Sequence, residues 1–376
     1  MFLKNYTENL RSRFTIFTLF AIAAMVFWCG ANITTTNAQT PTPTPRRVPM
    51  DFTGDGRSDW ATIAIPSTAG LPLRWKVTGN PASTVPNQAF IRAFDYGLSG
   101  SQTVAGDTIV PADYIGDRKT DVTVWRPSQG IFYVAEFPIG TGGVTLNRAV
   151  QWGGGTGDLA RQGGDYDGDG KADYTIIRIN QTNGNLTWFI KSSATGAERT
   201  VPFGTIGDAD TAQIFPGADF TGDGRDELVF VTAFEDTGIV TYFVGDAVTG
   251  AGVMVKRFGD FNLDFSLAPG DYTGDGRADF VAVRQSTSPA TWFINDSVTN
   301  TTTARPFGIS DPGFQGGNDT PIRGDYDGDG KFDIAVFRRS SANFFYLRSS
   351  SNNTIVDGQR AGDPGDFALA GLAVNF

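Results

Sequence analysis

Six copies of one acidic nonapeptide constrain this chain more than any other feature. They read DFTGDGRSD at 51–59, DYIGDRKTD at 113–121, DYDGDGKAD at 165–173, DFTGDGRDE at 219–227, DYTGDGRAD at 271–279 and DYDGDGKFD at 325–333. Their first residues lie 62, 52, 54, 52 and 54 positions apart. A period of this size means stacked supersecondary units, none of which can bury its apolar surface alone. Each loop runs into an apolar strand, as in Asp279–Arg284 and Asp333–Arg338. An aromatic strand follows: RWKV at 74–77, IFYV at 131–134, TWFI at 187–190, TYFV at 241–244, TWFI at 291–294 and FFYL at 344–347. Next comes an aromatic–Gly pair, from Tyr96-Gly97 to Phe307-Gly308, with a weak sixth copy at Ala361-Gly362. A last short strand leads into the next loop. Four strands per period and no helical pattern predict an all-β propeller of six four-stranded blades, with seven as the alternative. Adjacent aromatics such as Trp188 and Phe189 point to opposite faces of their strand, so they read as packing between blades rather than as a sugar-stacking site. The sequence stops at Asn375-Phe376, in phase with the start of a seventh loop, and little strand precedes the first loop. The C-terminal strand, around Leu369–Phe376, is therefore expected to complete blade one and close the ring without a free edge.

Composition removes several function classes. Histidine is absent, which takes away the commonest general base and a common zinc ligand. Cys29 is the single cysteine, so no intrachain disulfide can form. A net charge of −10 argues against nucleic acid as a partner. Residues 1–38 read as an export signal: Lys4, Arg11 and Arg13 precede the apolar run 14–31, and Thr36-Asn37-Ala38 offers a cleavage site. An uncleaved anchor helix is the alternative, since the run is at the lower edge of a spanning length. Residues 39–50 form a Thr/Pro-rich linker whose TPTPTP favours an extended spacer, and the repeats fill 51–376. Once the signal is removed, no stable membrane insertion is expected.

Within the nonapeptide, carboxylates at positions 1, 3, 5 and 9 converge if the loop coils tightly, and glycines at 4 and 6 permit the positive φ angles this needs. Two unit charges about 4 Å apart repel by roughly 4 kcal/mol at an effective dielectric near 20, so such a group calls for a cation. Oxygen ligands alone suit calcium rather than zinc or copper. The loop is not an EF-hand, because position 12 falls on Ile176 or Val336 inside strands, where a Glu is required. The expected ligands, with position 7 giving its backbone carbonyl and its side chain pointing outward, are Asp51, Thr53, Asp55, Arg57 and Asp59; Asp165, Asp167, Asp169, Lys171 and Asp173; Asp219, Thr221, Asp223, Arg225 and Glu227; Asp271, Thr273, Asp275, Arg277 and Asp279; and Asp325, Asp327, Asp329, Lys331 and Asp333. Thr at position 3 should weaken loops one, four and five relative to three and six. Loop two has Ile115 at position 3 and Arg118 at position 6, so it is expected to bind calcium weakly or not at all.

These motifs, above all DYDGDGKAD, DYDGDGKFD and pairs such as Phe307-Gly308, resemble bacterial FG-GAP/VCBS repeats, whose propellers are similar to the calcium-binding head of integrin α subunits. The resemblance covers about residues 50–376 and implies calcium at positions 1, 3, 5, 7 and 9 of the intact loops. Its members include adhesins, lectin-like modules and appendages of secreted enzymes. The functional expectation is a secreted or cell-surface, monomeric binding or adhesion module for a glycan or protein partner. A polysaccharide lyase or glycoside hydrolase on the same scaffold is the alternative. With no nucleophile motif and the clustered acids already assigned to metal, no catalytic residue and no enzymatic activity are expected.

Overall fold

The computed structural model describes residues 47–371, except 80–90, 102–104, 138–143, 311–318, 340–343 and 351–352. The export signal, most of the Thr/Pro linker and Asn375-Phe376 lie outside the described residues. Six four-stranded antiparallel sheets form a six-bladed β-propeller. In every sheet but that of blade one, the first strand comes just before an acidic loop, the second just after it, and the third and fourth follow in order. In blade five these are Asp264–Gly270, Asp279–Arg284, Thr291–Asn295 and Thr302–Pro306. First strands of successive blades lie against one another, as Asp158–Arg161 does against Thr211–Ala218, and so form the inner ring. The acidic loops of blades two to six therefore sit at the same end of their blades, joining the innermost strand to its neighbour, and loop one leads into the second strand of blade one in the same way.

The second strands are buried on both faces, as in Asp279–Val283, because each blade is covered by two others. Six hydrophobic clusters result among the described residues, each spanning one joint between blades. The aromatic column fills these joints. Trp75, Trp188 and Trp292 are fully buried, and their indole N–H groups donate to the carbonyls of Tyr96, Phe203 and Phe307 at 2.8, 3.0 and 3.1 Å. The aromatic–Gly pair thus supplies the acceptor for the tryptophan of its own blade. Its glycine has positive φ, and at Gly204 a Cβ would collide with the Phe230 ring.

The ring closes as the repeat phase requires, two residues earlier than expected. Phe367–Ala368 pairs antiparallel with Thr62 and Ile63 as the innermost strand of blade one. Leu369–Gly371 then turns into a short 3-10 segment. The N-terminal side contributes too. The Asp59 N–H donates to the carbonyl of Met50, as the Asp121 N–H does to Ala112. Both ends of the described chain thus build blade one, and Trp60 stacks on Tyr326 of blade six with centroids 4.3 Å apart. Two side-chain struts cross the middle of the ring. Arg47 reaches Asp226 at 3.0 Å, and Arg323 of blade six reaches Gln162 of blade three at 3.0 Å. Gln162 donates in turn to the carbonyl of Pro111 in blade two.

Candidate metal centres in the acidic loops

The loops are wound by their own carboxylates. The position-1 aspartate accepts the N–H groups of positions 4 and 6, at 2.6 and 2.8 Å for Asp51 and at 2.6 and 2.9 Å for Asp325. The position-9 carboxylate accepts N–H groups from positions 2 and 3: Asp59 from Phe52 and Thr53, and Asp333 from Tyr326 and Asp327. The position-5 aspartate accepts the N–H of position 7, as Asp169 does from Lys171 and Asp275 from Arg277. Aromatics at position 2 are drawn into the blade joints, so the carboxylates at 1 and 9, apart from the half-buried Asp219, are buried with the backbone they bind.

Burial is the main cause of their perturbed acidity. It pushes Asp51, Asp165, Asp279 and Asp325 up to about 6, and Asp173, Asp333 and Glu227 up to about 7, while N–H donors pull the other way. Neighbouring carboxylates of the same loop add to the rise. Acids placed like this are strained as anions unless a cation joins them.

Three loops bring three carboxylate oxygens within 4.8 Å of one another among the described residues: Asp165, Asp167 and Asp169; Asp219, Asp223 and Glu227; and Asp325, Asp327 and Asp333. These clusters could hold a metal ion. Their donors are all oxygen, which fits a hard divalent cation. Loop four belongs to this group despite Thr221, because the longer Glu227 reaches inward and accepts from Phe220 N–H and Thr221 Oγ1. Loops one and five, with Thr53 and Thr273, form no such three-carboxylate cluster. In loop one Thr53 Oγ1 lies between Asp51 and Asp59, at 3.5 and 3.3 Å, and Asp55 Oδ2 is buried with no hydrogen-bond partner. That orphaned oxygen points to a further cationic ligand there.

Loop two keeps the coil without the full ligand set. Asp113 accepts from Gly116 and Arg118, and Asp121 from Tyr114 and Ile115. Arg118 adopts the left-handed φ of 67° that glycine holds elsewhere. Such a residue costs about 1 kcal/mol or more, which the Asp113 bond offsets. The Lys119 ammonium lies 3.5 Å from Asp117.

Position 7 departs from the expectation of an outward side chain. The methylenes of Lys119 lie over Gly54 of loop one, those of Lys171 over Gly116 of loop two, and the series continues to Arg57 over Gly328 of loop six. The reason is local: the turn leaves position 4 without a Cβ, and the next loop's aliphatic stem fills that space. Other contacts also escaped the sequence reading. N–H groups of Ser193, Ser297 and Ser350, between third and fourth strands, donate to Asp173, Asp279 and Asp333. Ser349 and Ser350 hydroxyls donate to Asp327 and Asp329. These serines follow the carboxylate they bind by 20, 18 and 17 residues, an offset too variable to be read from spacing.

Residues 271–336 match the family model of the FG-GAP-like repeat. This stretch is an FG-GAP-like repeat. It runs from loop five through the rest of blade five and loop six into the second strand of blade six, and the other periods of the propeller follow the same plan. No curated protein matches the sequence. Similar solved structures include TolB from Acinetobacter baumannii, at 15% identity over 85% of this chain and 67% of that chain with a TM-score of 0.39. The Dos1 propeller matches at 9% identity over 81% and 76% with a TM-score of 0.38. A protein from Lactobacillus plantarum matches at 13% over 80% and 82% with a TM-score of 0.39. No activity is carried across to this chain from these likenesses.

Proposed function

We propose that this chain is an exported, calcium-binding propeller that works as a binding or adhesion module for a glycan or protein partner and performs no catalysis. The observation that carries the calcium reading is the convergence of oxygen-only carboxylates, buried at Asp165, Glu227, Asp325 and Asp333, in loops three, four and six. Calcium accepts six to eight such oxygens with loose geometry, which suits loops that differ at position 3. Loops one and five are assigned ions as well, with Asp55 Oδ2 as the open ligand in loop one. Loop two is assigned none. The apolar run and cleavage-like residues before the repeats support export, where calcium is available at millimolar levels.

Partner binding is assigned to the end of the ring away from the acidic loops. There, blade four departs from the other blades. Blades two, three, five and six pair an arginine at the end of the second strand with a buried aspartate before or at the start of the first: Arg126–Asp107, Arg178–Asp158, Arg284–Asp264 and Arg338–Asp319. Blade four lacks both members, with Thr232 at the arginine position and Ala212 opposite it, and the exposed Asp210, two residues earlier, accepts the Glu235 N–H. Asn262 donates to the Glu235 carbonyl, which joins exposed Asp208, Asp210, Glu235, Asp236, Phe261 and Leu263 into one acidic and apolar surface. The test is binding to glycan and protein arrays with calcium present and absent. Calcium-dependent binding that is lost in Glu235→Lys/Phe261→Ala supports the reading. No binding by the calcium-loaded protein, or cleavage of a polysaccharide on the array, overturns it.

A further inference from the structure

We infer that the six acidic loops form one closed, mechanically coupled ring, in which an ion bound in one loop strengthens binding in its neighbours, with loop two as an ion-independent member. The inference rests on the calcium reading above and concerns how those sites act together.

The loops are linked directly by their backbones. The N–H at position 8 of each loop donates to the carbonyl of position 1 in the loop before it. Thr120 donates to Asp51, Ala172 to Asp113, Asp226 to Asp165, Ala278 to Asp219 and Phe332 to Asp271, all at 2.6–2.8 Å. Ser58 donates to Asp325 at 2.6 Å and closes the circle. Each bond crosses a joint between blades. The position-7 side chain runs in parallel, over the position-4 glycine of the same preceding loop, at all six joints.

These links fall on the residues that would hold the ion. The position-1 aspartate gives its carboxylate to its own loop and its carbonyl to the next. The receiving N–H is one residue from the position-9 carboxylate, a ligand of the next loop. An ion that fixes Asp219 therefore fixes Ala278, and with it Asp279. A loop ordered in advance loses less freedom on binding, so it binds more tightly. Thermodynamic reciprocity makes the effect run both ways round the ring.

Repulsion between ions opposes this but does not reverse it. The six loops hold 21 acidic and 7 basic residues, a net charge of −14. Five divalent ions still leave that ring negative. Loop two fits as the fixed member. It keeps the same N–H bonds, donates its Thr120 N–H to the Asp51 carbonyl of loop one and accepts the Ala172 N–H of loop three on its Asp113 carbonyl, so it transmits order without an ion.

Calorimetric titration and equilibrium dialysis with calcium test the coupling. Glu227→Gln removes one ligand charge from loop four. The coupled ring predicts one ion fewer, a three- to tenfold weaker mean affinity at the remaining sites, and a parent Hill coefficient above one. One ion fewer with all other constants unchanged overturns the coupling and leaves the calcium reading standing. A parent protein that binds no calcium overturns both. The converse variant Ile115→Asp/Arg118→Gly guards against a misfolded first variant. It should add one ion and tighten the others, and a sixth ion that leaves the rest unchanged also overturns the coupling.

Discussion

Removing divalent ions should make this propeller less stable, and the loss should depend on pH in a direction the loops dictate. Asp51, Asp165, Asp279 and Asp325 stand at about 6 and Asp173, Asp333 and Glu227 at about 7, against ordinary values of 3.8 for Asp and 4.5 for Glu. Because burial raises them, the ion-free folded state binds more protons than the unfolded chain. Stability is then fully present below about pH 4 and is lost as pH rises through 6 to 7. Calcium takes over the role of those protons. With dissociation constants of about 0.1 mM, each site adds about 1.4 kcal/mol in ~1 mM calcium, or about 7 kcal/mol for five sites. A propeller of about 330 residues unfolds with an entropy near 0.7 kcal/mol/K, so the midpoint should rise by about 10 °C. Scanning calorimetry at pH 5 and pH 8, in calcium-stripped buffer and with 1 mM calcium, measures this. The ion-free midpoint should fall from pH 5 to pH 8, and the calcium increment should be larger at pH 8. An ion-free midpoint that rises over this interval, or a calcium increment near zero at pH 8, refutes the reasoning.

Three further outcomes follow from packing. Arg284→Leu strands the buried Asp264 and should cost roughly 3 kcal/mol in urea unfolding, most of it recovered in Arg284→Leu/Asp264→Leu. Trp292→Ala should cost roughly 3–5 kcal/mol, through a cavity and the lost bond to the Phe307 carbonyl, whereas Phe293→Ala on the more open face should cost less than half as much by the same assay. Deleting residues 367–376 uncovers the second strand of blade one, and light scattering should then detect concentration-dependent aggregation on warming.

The repeat made the blades legible because it carries its own phase. The acidic loop, the apolar second strand and the aromatic third strand recur at fixed offsets, so six blades and their order could be read directly. The closing strand was legible for the same reason, but its position slipped by two residues because Leu369–Gly371 leaves the sheet. Loop two could be recognised as deviant from Ile115 and Arg118. That it still coils could not, since this depends on Asp113 holding the Arg118 N–H. Contacts between loops were hidden for a general reason. Lys119 over Gly54 and Thr120 on Asp51 join residues more than sixty positions apart, and local spacing carries no record of a neighbour met only when one blade packs on the next.

The two breaks in the arginine–aspartate pattern differ in kind, and the difference bears on function. Blade one has Ala64 at the arginine position, but Lys76 replaces the third-strand aromatic and its ammonium reaches Asp366 at 2.7 Å and Asp363 at 2.8 Å. The charge moves to another strand and the buried Asp366 keeps its cation. That is a repair, and it needs no explanation beyond stability. Blade four lacks both members: Thr232 stands at the arginine position and Ala212 opposite it, so no buried charge is left to match, while the exposed Asp210, Glu235 and Asp236 gather on the nearby turns. Exposed carboxylates keep their hydration, so their gathering costs the fold only a small mutual repulsion. The remainder of the chain outside the six loops is net +4, since the whole carries −10 and the loops −14, so an acidic surface in blade four is not a consequence of bulk composition. An acidic and apolar turn that the fold does not require is the surface we propose for the partner, and Glu235→Lys/Phe261→Ala is the variant that tests it.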